Sequence, residues 1–367
     1  MNIGVDARPL IEKKSGIGIY LKSILDEILK FDDENNYFLI SDTNIYYECN
    51  NNNVYKVIFD KKNKIPSTFL YMYFWAKWLK KKNIMLDSFW GTQQFMPLYL
   101  PSDCNKVITI HDLAYRICPE TVDKKILLMM RLFSKKSLVE SDVIICVSNY
   151  TQKMLRKYYD FVKKKPCEVI YESGGNNIQT NEIIEKELKS EIKDILSKKY
   201  LLYIGNIEPR KNLETLLNAF DIVKEKTELE LVVCGKYGWN SNDILDRLTN
   251  TKRVHYMNYV SDAEKNLLLS RCYAFIMPSK YEGFGIPVVE AMQKGSIVLV
   301  ADNSSLNELV DPMELKFSTY DYTELANKII GLENNEIYKN MKEHCLIRGG
   351  IFSWKNAAHE TYRLLLR

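Results

Sequence analysis

The chain has 367 residues, 27% of them charged and 46% hydrophobic, with a net charge of +4. That length is too great for one ordinary core, so two globular domains are expected. No stretch of about 18 apolar residues occurs, which excludes a spanning helix. The charge is unevenly placed. Lys61 to Lys165 holds 20 Lys/Arg against 8 Asp/Glu, a net of +12, leaving −8 for the rest. An anionic partner surface, nucleic acid or membrane, would explain such asymmetry. The eight cysteines form no Cys-x-x-Cys pair, and no short spacing suggests zinc. Met1 leads through a short apolar run straight to Asp6 and Arg8, so no signal peptide is read. The cysteines then read as reduced thiols of a cytosolic protein.

In chain order, Asn2 to Val5 reads as a short strand, and residues 7–16 as a loop ending in Ser15-Gly16-Ile17-Gly18. Ile17, Leu21, Ile24, Leu25 and Ile28 recur at helical spacing. Further strands are expected at Tyr37 to Ile40, Val54 to Phe59, Val107 to Ile110, Val143 to Val147 and Val169-Ile170. Ser148 suits the N-cap of the next helix. Glu172 to Asn177 (ESGGNN) is the best linker, followed by a polar stretch from Thr180 to Lys199. The alternation then restarts, with strands at Tyr200 to Ile204, Leu231 to Cys234, Val254 to Met257, Ala274 to Met277 and Ile297 to Val300. Helices are read from Leu213 and over Ala263 to Ser270. Alternating strands and helices imply parallel crossovers and a doubly wound sheet in each half, with a cleft between the halves.

Four loops at the carboxyl ends of expected strands could carry chemistry. Pro278 to Ala301 (PSKYEGFGIPVVEAMQKGSIVLVA) places Glu282 on a loop with Gly283 and Gly285, and Glu290 about one turn into the helix starting near Pro287. Its backbone amides and helix start suit phosphate oxygens, Glu282 suits sugar hydroxyls, and Glu290 suits a ribose diol. The alternative is a capping acid and a solvated helix acid. Gly205 to Asn212 (GNIEPRKN) offers Arg210 and Lys211 for a diphosphate, or two solvated surface cations. His111, in Thr109 to Leu113, could polarise a sugar hydroxyl or carbonyl, or be a hydrogen-bonded strand-end histidine. Gly16 and Gly18 could bring amides near an anion, or simply start a helix. A dinucleotide fingerprint would need a third glycine where Leu21 stands, so NAD binding is disfavoured.

The chain also resembles glycosyltransferase family 4, the retaining nucleotide-sugar transferases of GT-B fold, across nearly its full length. The matching residues are PSKYEGFGIPVVEAM, GNIEPRKNLETLLNAF, HDL at His111, CVSNYT at Ser148, DARPL with SGIGIY, and FSWKNAAHETY. The resemblance implies a GT-B architecture, two Rossmann-like doubly wound domains facing each other across a cleft. An N-terminal acceptor-side domain would cover 1–175, a C-terminal nucleotide-sugar domain 176–350, and a closing helix 351–367 crossing back to the first domain. It implies that Glu290 holds the nucleotide ribose, and that Glu282 with the Gly283, Phe284, Gly285 and Ile286 segment contacts donor sugar and diphosphate. Arg210 and Lys211 would carry the diphosphate charge, Gly16 and Gly18 would approach it, and His111 would contact the donor sugar. Many members have Arg where this chain has Asn206, so Arg210 is inferred to substitute. Base recognition is expected around Tyr259-Val260-Ser261. No Asp-x-Asp occurs, in keeping with chemistry that needs no metal.

The expected activity is transfer of a hexose from a nucleotide sugar, with retention and without a cofactor. The DARPL, SGIGIY and EPRKN pattern resembles bacterial mannosyltransferases of surface polysaccharide assembly, which points to GDP-mannose as donor. The acceptor would be a saccharide or lipid-linked saccharide. Tyr71 to Lys82, Lys124 to Lys136 and Lys153 to Lys165 mix lysines with aromatic and apolar residues. They suit an anionic membrane surface, here the inner face of the cell membrane, or are ordinary domain helices with solvated lysines. The rival readings are a non-catalytic nucleic-acid-binding protein using the basic face, and another GT-B activity such as an epimerase or phosphorylase.

Overall fold

Parallel strands whose two faces are both covered read as continuous apolar runs, and that is how the chain is built. The computed structural model describes residues 1–11, 15–59, 67–175, 188–238 and 242–367. The chain divides into two compact units, Met1–Glu172 with Ser353–Arg367, and Ser173–Phe352. The division falls after Glu172 rather than after residue 175, because Ser173 and Gly175 bond to Gln293 and Glu290 of the second unit. Asn176 and Asn177 of the expected linker, residues 12–14 of the first loop, 61–66 of the basic stretch and 180–187 of the polar stretch lie outside the described residues.

Among the described residues, the first unit holds seven parallel strands: β1 (Asn2–Asp6), β2 (Asn36–Ser41), β3 (Val54–Ile58), β4 (Ser88–Gly91), β5 (Asn105–Ile110), β6 (Val143–Cys146) and β7 (Cys167–Val169). Their order is β3-β2-β1-β4-β5-β6-β7. The second unit holds β8 (Tyr200–Ile204), β9 (Glu230–Cys234), β10 (Val254–Met257), β11 (Ala274–Met277), β12 (Ile297–Ala301) and β13 (Lys316–Phe317), ordered β10-β9-β8-β11-β12-β13. Both sheets reverse direction of growth next to their first strand, between β1 and β4 and between β8 and β11. Such switch points leave a crevice beyond the strands' carboxyl ends, where ligands of open α/β sheets bind.

Alternation along the strands sends side chains to two cores in the first unit. Val107, Val143 and Ile145 face one; Ile108, Ile144 and Cys146 face the other. The helix Gly16–Ile28 starts at Ser15, whose Oγ accepts from the Gly18 amide at 3.0 Å. It buries Tyr20, Leu21, Ile24, Leu25 and Ile28. The helix Trp354–Leu365 belongs to this unit and packs on it, with Tyr20 and Trp354 rings edge to face at 6.0 Å. Asn105 Nδ2 donates to the Leu364 carbonyl at 2.9 Å, fixing that helix near the start of β5.

Two strands escaped the sequence reading. β4 is only four residues, begins with Ser88 and ends with Gly91, and is buried throughout. It shows neither alternation nor an apolar run, yet it sits beside β1 at the centre of the sheet. β13 has two residues, paired with Val300 and Ala301 of β12.

Candidate functional site

In the second unit, the loops after β8 and β11 meet at the switch point. After β8, Pro209–Lys211 forms a single tight turn, and Asn212 adopts a left-handed φ of 55° before the helix Leu213–Lys226. Asn residues tolerate that conformation better than most. The turn aims Arg210 and Lys211 at the loop after β11. The Arg210 carbonyl accepts from the Lys280 amide at 2.9 Å, so the two loops are joined by backbone as well.

Glu282 is the centre of the cluster. Its Oε1 accepts from Lys211 Nζ at 2.6 Å and its Oε2 from Arg210 Nη1 at 3.0 Å. Arg210 also donates to the Tyr281 carbonyl at 2.8 Å and to Glu208 Oε1 at 2.9 Å. Glu282 is 7% exposed and its oxygens are held by both cations, so Arg210 and Lys211 are not the two solvated surface cations of the alternative reading. Burial by itself would raise the Glu282 carboxyl. The charges of Lys211 and Arg210 outweigh it and hold the group at about 2. The cluster holds two cations and, with Glu208, two carboxylates.

The backbone beside Glu282 is fixed by residues the sequence reading missed. Ser304 Oγ accepts from the Glu282 amide at 3.0 Å. Ser305 Oγ stands 2.6 Å from the Phe284 carbonyl and 3.0 Å from the Glu282 carbonyl, its one hydrogen shared between them. The only advance signal was their place just beyond the apolar run Ile297 to Val300. Gly285 has a φ of 121°, which glycine alone adopts readily, and it precedes the helix Ile286–Gln293 with Pro287 in its first turn. Gly283, Phe284 and Gly285 are buried and Ile286 is half-buried.

Glu290, 6% exposed, lies in a separate pairing. Its Oε1 accepts from Lys265 Nζ at 2.7 Å and from the Gly175 amide at 3.1 Å. Lys265, on the helix Asp262–Arg271, was not foreseen, since nothing marks it apart from other helix lysines. Val260 is half-buried, just before the capping box that Ser261 and Glu264 form. Asn206 is exposed, and its carbonyl accepts from the Tyr203 hydroxyl at 3.1 Å.

His111, Gly16 and Gly18 belong to the first unit. His111 follows β5 and is buried. Its Nε2 lies 2.8 Å from the Thr92 carbonyl and its Nδ1 lies 3.1 Å from Glu172 Oε1. A carbonyl only accepts, so the Nε2 contact is an N–H donating to Thr92. The Tyr20 ring stands edge-on to the imidazole at 4.7 Å. The strand-end, hydrogen-bonded reading of this histidine is therefore the observed one, and both ring nitrogens have protein partners. Nearby, Asp6 and Arg8 form a buried two-point pair at 2.8 and 2.7 Å, with the guanidinium 3.5 Å from the Tyr71 ring centre. Gly16 has open space where a Cβ would stand, whereas a Cβ on Gly18 would meet the Pro9 carbonyl at 2.7 Å. Gly18 is thus required for packing of the helix start, and Gly16 is the one of the two with room beside it.

Residues 185–345 match the protein family described as "Glycosyl transferases group 1". O-antigen chain mannosyltransferase B of Escherichia coli is 27% identical over 283 residues, covering 73% of this chain and 72% of that protein. Serotype-specific mannosyltransferase WbdA of Escherichia coli is 24% identical over 60% of this chain, but the match spans only 28% of its own length. Sucrose-phosphate synthase from Thermosynechococcus elongatus shares the fold with a TM-score of 0.73 at 17% identity, over 99% of this chain and 98% of that one. With two parallel-sheet units of Rossmann-like order, this likeness shows the GT-B fold. The second unit thus carries a group 1 glycosyl transferase domain, and the chain's resemblance to glycosyltransferase family 4 and to bacterial O-antigen mannosyltransferases stands.

Proposed function

We propose that this glycosyltransferase moves mannose from GDP-mannose to a saccharide or lipid-linked saccharide during cell-surface polysaccharide assembly. The observation that carries the reading is Glu282, buried between Arg210 and Lys211 at the switch point of the second unit. Mannose is chosen because the relatives are named mannosyltransferases. Transfer proceeds with retention and without a metal in this proposal.

The charge balance suggests how the groups work. Two cations and two carboxylates neutralise one another before the donor arrives. A donor diphosphate seated here takes over Lys211 and Arg210, which frees Glu282 oxygens to accept from donor-sugar hydroxyls. As the bond to the sugar breaks, negative charge gathers on the leaving diphosphate. Fixed cations and the amides of Gly283 to Gly285 are worth most at that moment, because they need no reorganisation. Glu290 holds the ribose, and the loop around Val260 reads the base. His111, on the first unit, has its ring held in place by Thr92 and Glu172. A nucleic-acid-binding role gives the Glu282 cluster no task.

The proposed acceptor adds a membrane surface as partner. The helix Lys124–Glu140 exposes Ile126, Leu128, Leu132 and Val139 among Lys124, Lys125, Arg131, Lys135 and Lys136. The neighbouring helix Ser67–Lys81 exposes Phe69 and Phe74, and Lys136 bonds its Tyr73 hydroxyl at 2.9 Å. Apolar residues interleaved with cations suit the interface of an anionic bilayer. No helix among the described residues is long and apolar enough to cross one. Docking to the inner face of the cell membrane follows as the proposed location.

Lys211→Ala should lower kcat/KM for transfer by roughly 30- to 1000-fold, about 2–4 kcal/mol of transition-state stabilisation. The variant should stay folded but melt several degrees below the parent, since buried Glu282 loses one of its two cations. Turnover near that of the parent would remove Lys211 from the chemistry, and a thermal-shift screen of GDP, UDP, dTDP and ADP sugars identifies the donor by the largest rise.

Glu282 also makes stability depend on pH. Its folded-state value, about 2, is below the usual 4.5, so its stabilisation is complete above 4.5 and fades as pH falls towards 2. The parent should exceed Glu282→Gln by on the order of 3 kcal/mol at neutral pH. Chemical denaturation across pH should show that gap closing between pH 4.5 and 2. A gap that does not change with pH would mean the carboxylate is not ionised against Lys211 and Arg210.

The membrane proposal predicts co-sedimentation with liposomes containing phosphatidylglycerol at low salt, weakened by Leu128→Asp with Leu132→Asp. Equal recovery with neutral and anionic liposomes would reject it.

A further inference from the structure

Beside the donor loop, on the same unit, lies a second surface that the proposed chemistry leaves unused. The segment joining β13 to the helix Tyr322–Gly331 borders an open cavity of about 640 Å³. Asp302, Thr319, Tyr320, Asp321, Tyr322 and Thr323 line it. Tyr320 is 69% exposed and Tyr322 is exposed too, although rings of this size usually bury most of their surface. Asp302 Oδ1 is shielded from solvent and has no hydrogen-bond partner among the described residues.

The lining is tied to the donor loops by short bonds. Asn212, next to Lys211, donates to the Thr319 carbonyl at 2.8 Å and to the Pro278 carbonyl at 3.0 Å. Asn303, next to Ser304, donates to Thr319 Oγ1 at 2.8 Å and to the Ser279 carbonyl at 2.9 Å. Lys280 Nζ stands 5.7 Å from the Tyr320 ring centre. The cavity wall and the loop carrying Glu282 are therefore parts of one hydrogen-bonded construction.

The chemistry of the lining selects a ligand class. Two carboxylates against one lysine disfavour a phosphate or other anion. Tyrosine faces offer apolar area to the C–H face of a pyranose, while carboxylate and hydroxyl oxygens accept from its hydroxyl groups. We propose that this surface is a saccharide subsite, holding a hexose unit of the growing glycan beside the donor loop. The inference rests on the reading of the chain as a saccharide-extending transferase and adds, to the acceptor side expected of the first unit, a glycan contact on the second.

The test uses the full chain and mannotriose as probe. Saturation-transfer NMR should show mannotriose contacting the parent protein, with the signal lost in Tyr320→Ala and weakened in Tyr322→Ala. Both side chains are exposed, so folding should survive. Tyr320→Ala should raise the acceptor KM about five- to tenfold, the loss of one aromatic contact, while kcat and the melting shift with GDP stay as in the parent. No mannotriose signal from the parent, or equal signals and equal acceptor KM in both variants, would overturn the subsite. If GDP sugars bind and transfer while the tyrosine variants behave as the parent, only the subsite falls. If no nucleotide sugar binds but mannotriose binding still depends on Tyr320, the proposed function falls and the subsite stands.

Discussion

The buried carboxylate of Glu282 is the constraint around which the second unit's carboxyl-end loops are arranged. A charge taken from water is costly unless it is paired and hydrogen-bonded. Here it has Lys211 on one oxygen and Arg210 on the other. Satisfying it dictates the tight turn at Pro209–Lys211, the left-handed Asn212 and the two serines that clamp the Glu282 peptide. The strand order supplies the place: β8 and β11 are neighbours, so their following loops must meet. An anionic ligand bound here would exchange with an internal anion already seated on the same cations. Specificity then comes from which groups take over Glu282's bonds, rather than from bare positive charge.

The first unit solves a parallel problem with different groups. Asp6 at the end of β1, Arg8 just beyond it, Thr92 after β4 and His111 after β5 cluster at its own switch point. Thr92 joins them: its hydroxyl donates to the Asp6 carbonyl at 2.6 Å, and its carbonyl takes the His111 Nε2 hydrogen. Glu172, the last residue of the unit before the chain passes to the second, completes the histidine's surroundings. A ring with both nitrogens held has a fixed orientation. Any role in chemistry must use that orientation or break one of the two bonds.

Much of this was legible in the sequence, for physical reasons. The buried parallel strands announce themselves as apolar runs, as at Tyr200 to Ile204 and Ile297 to Val300. Glu282, Arg210 and Lys211 could be singled out because glycine, proline and charge coincide where strands end. What the sequence hid were partnerships set by three-dimensional packing. β4 lacks both alternation and an apolar run, so the central strand of the first sheet passed unseen. That Glu282 and Glu290 serve separate pairings, the latter with Lys265, could not follow from their eight-residue spacing. Nor could spacing show that Gly18, rather than Gly16, is locked by contact with Pro9. The lysines of the basic helices were visible, but not that Leu128 and Leu132 stand exposed among them.

In the proposed function, the Glu282 cluster receives a nucleotide sugar and releases its nucleoside diphosphate only as the sugar moves to a saccharide. The most direct measurement is simultaneous assay of GDP release and saccharide mass, with GDP-mannose and a lipid-linked saccharide. The account predicts one GDP released for each hexose gained. GDP released without growth of the saccharide, or no release from any nucleotide sugar, would contradict it.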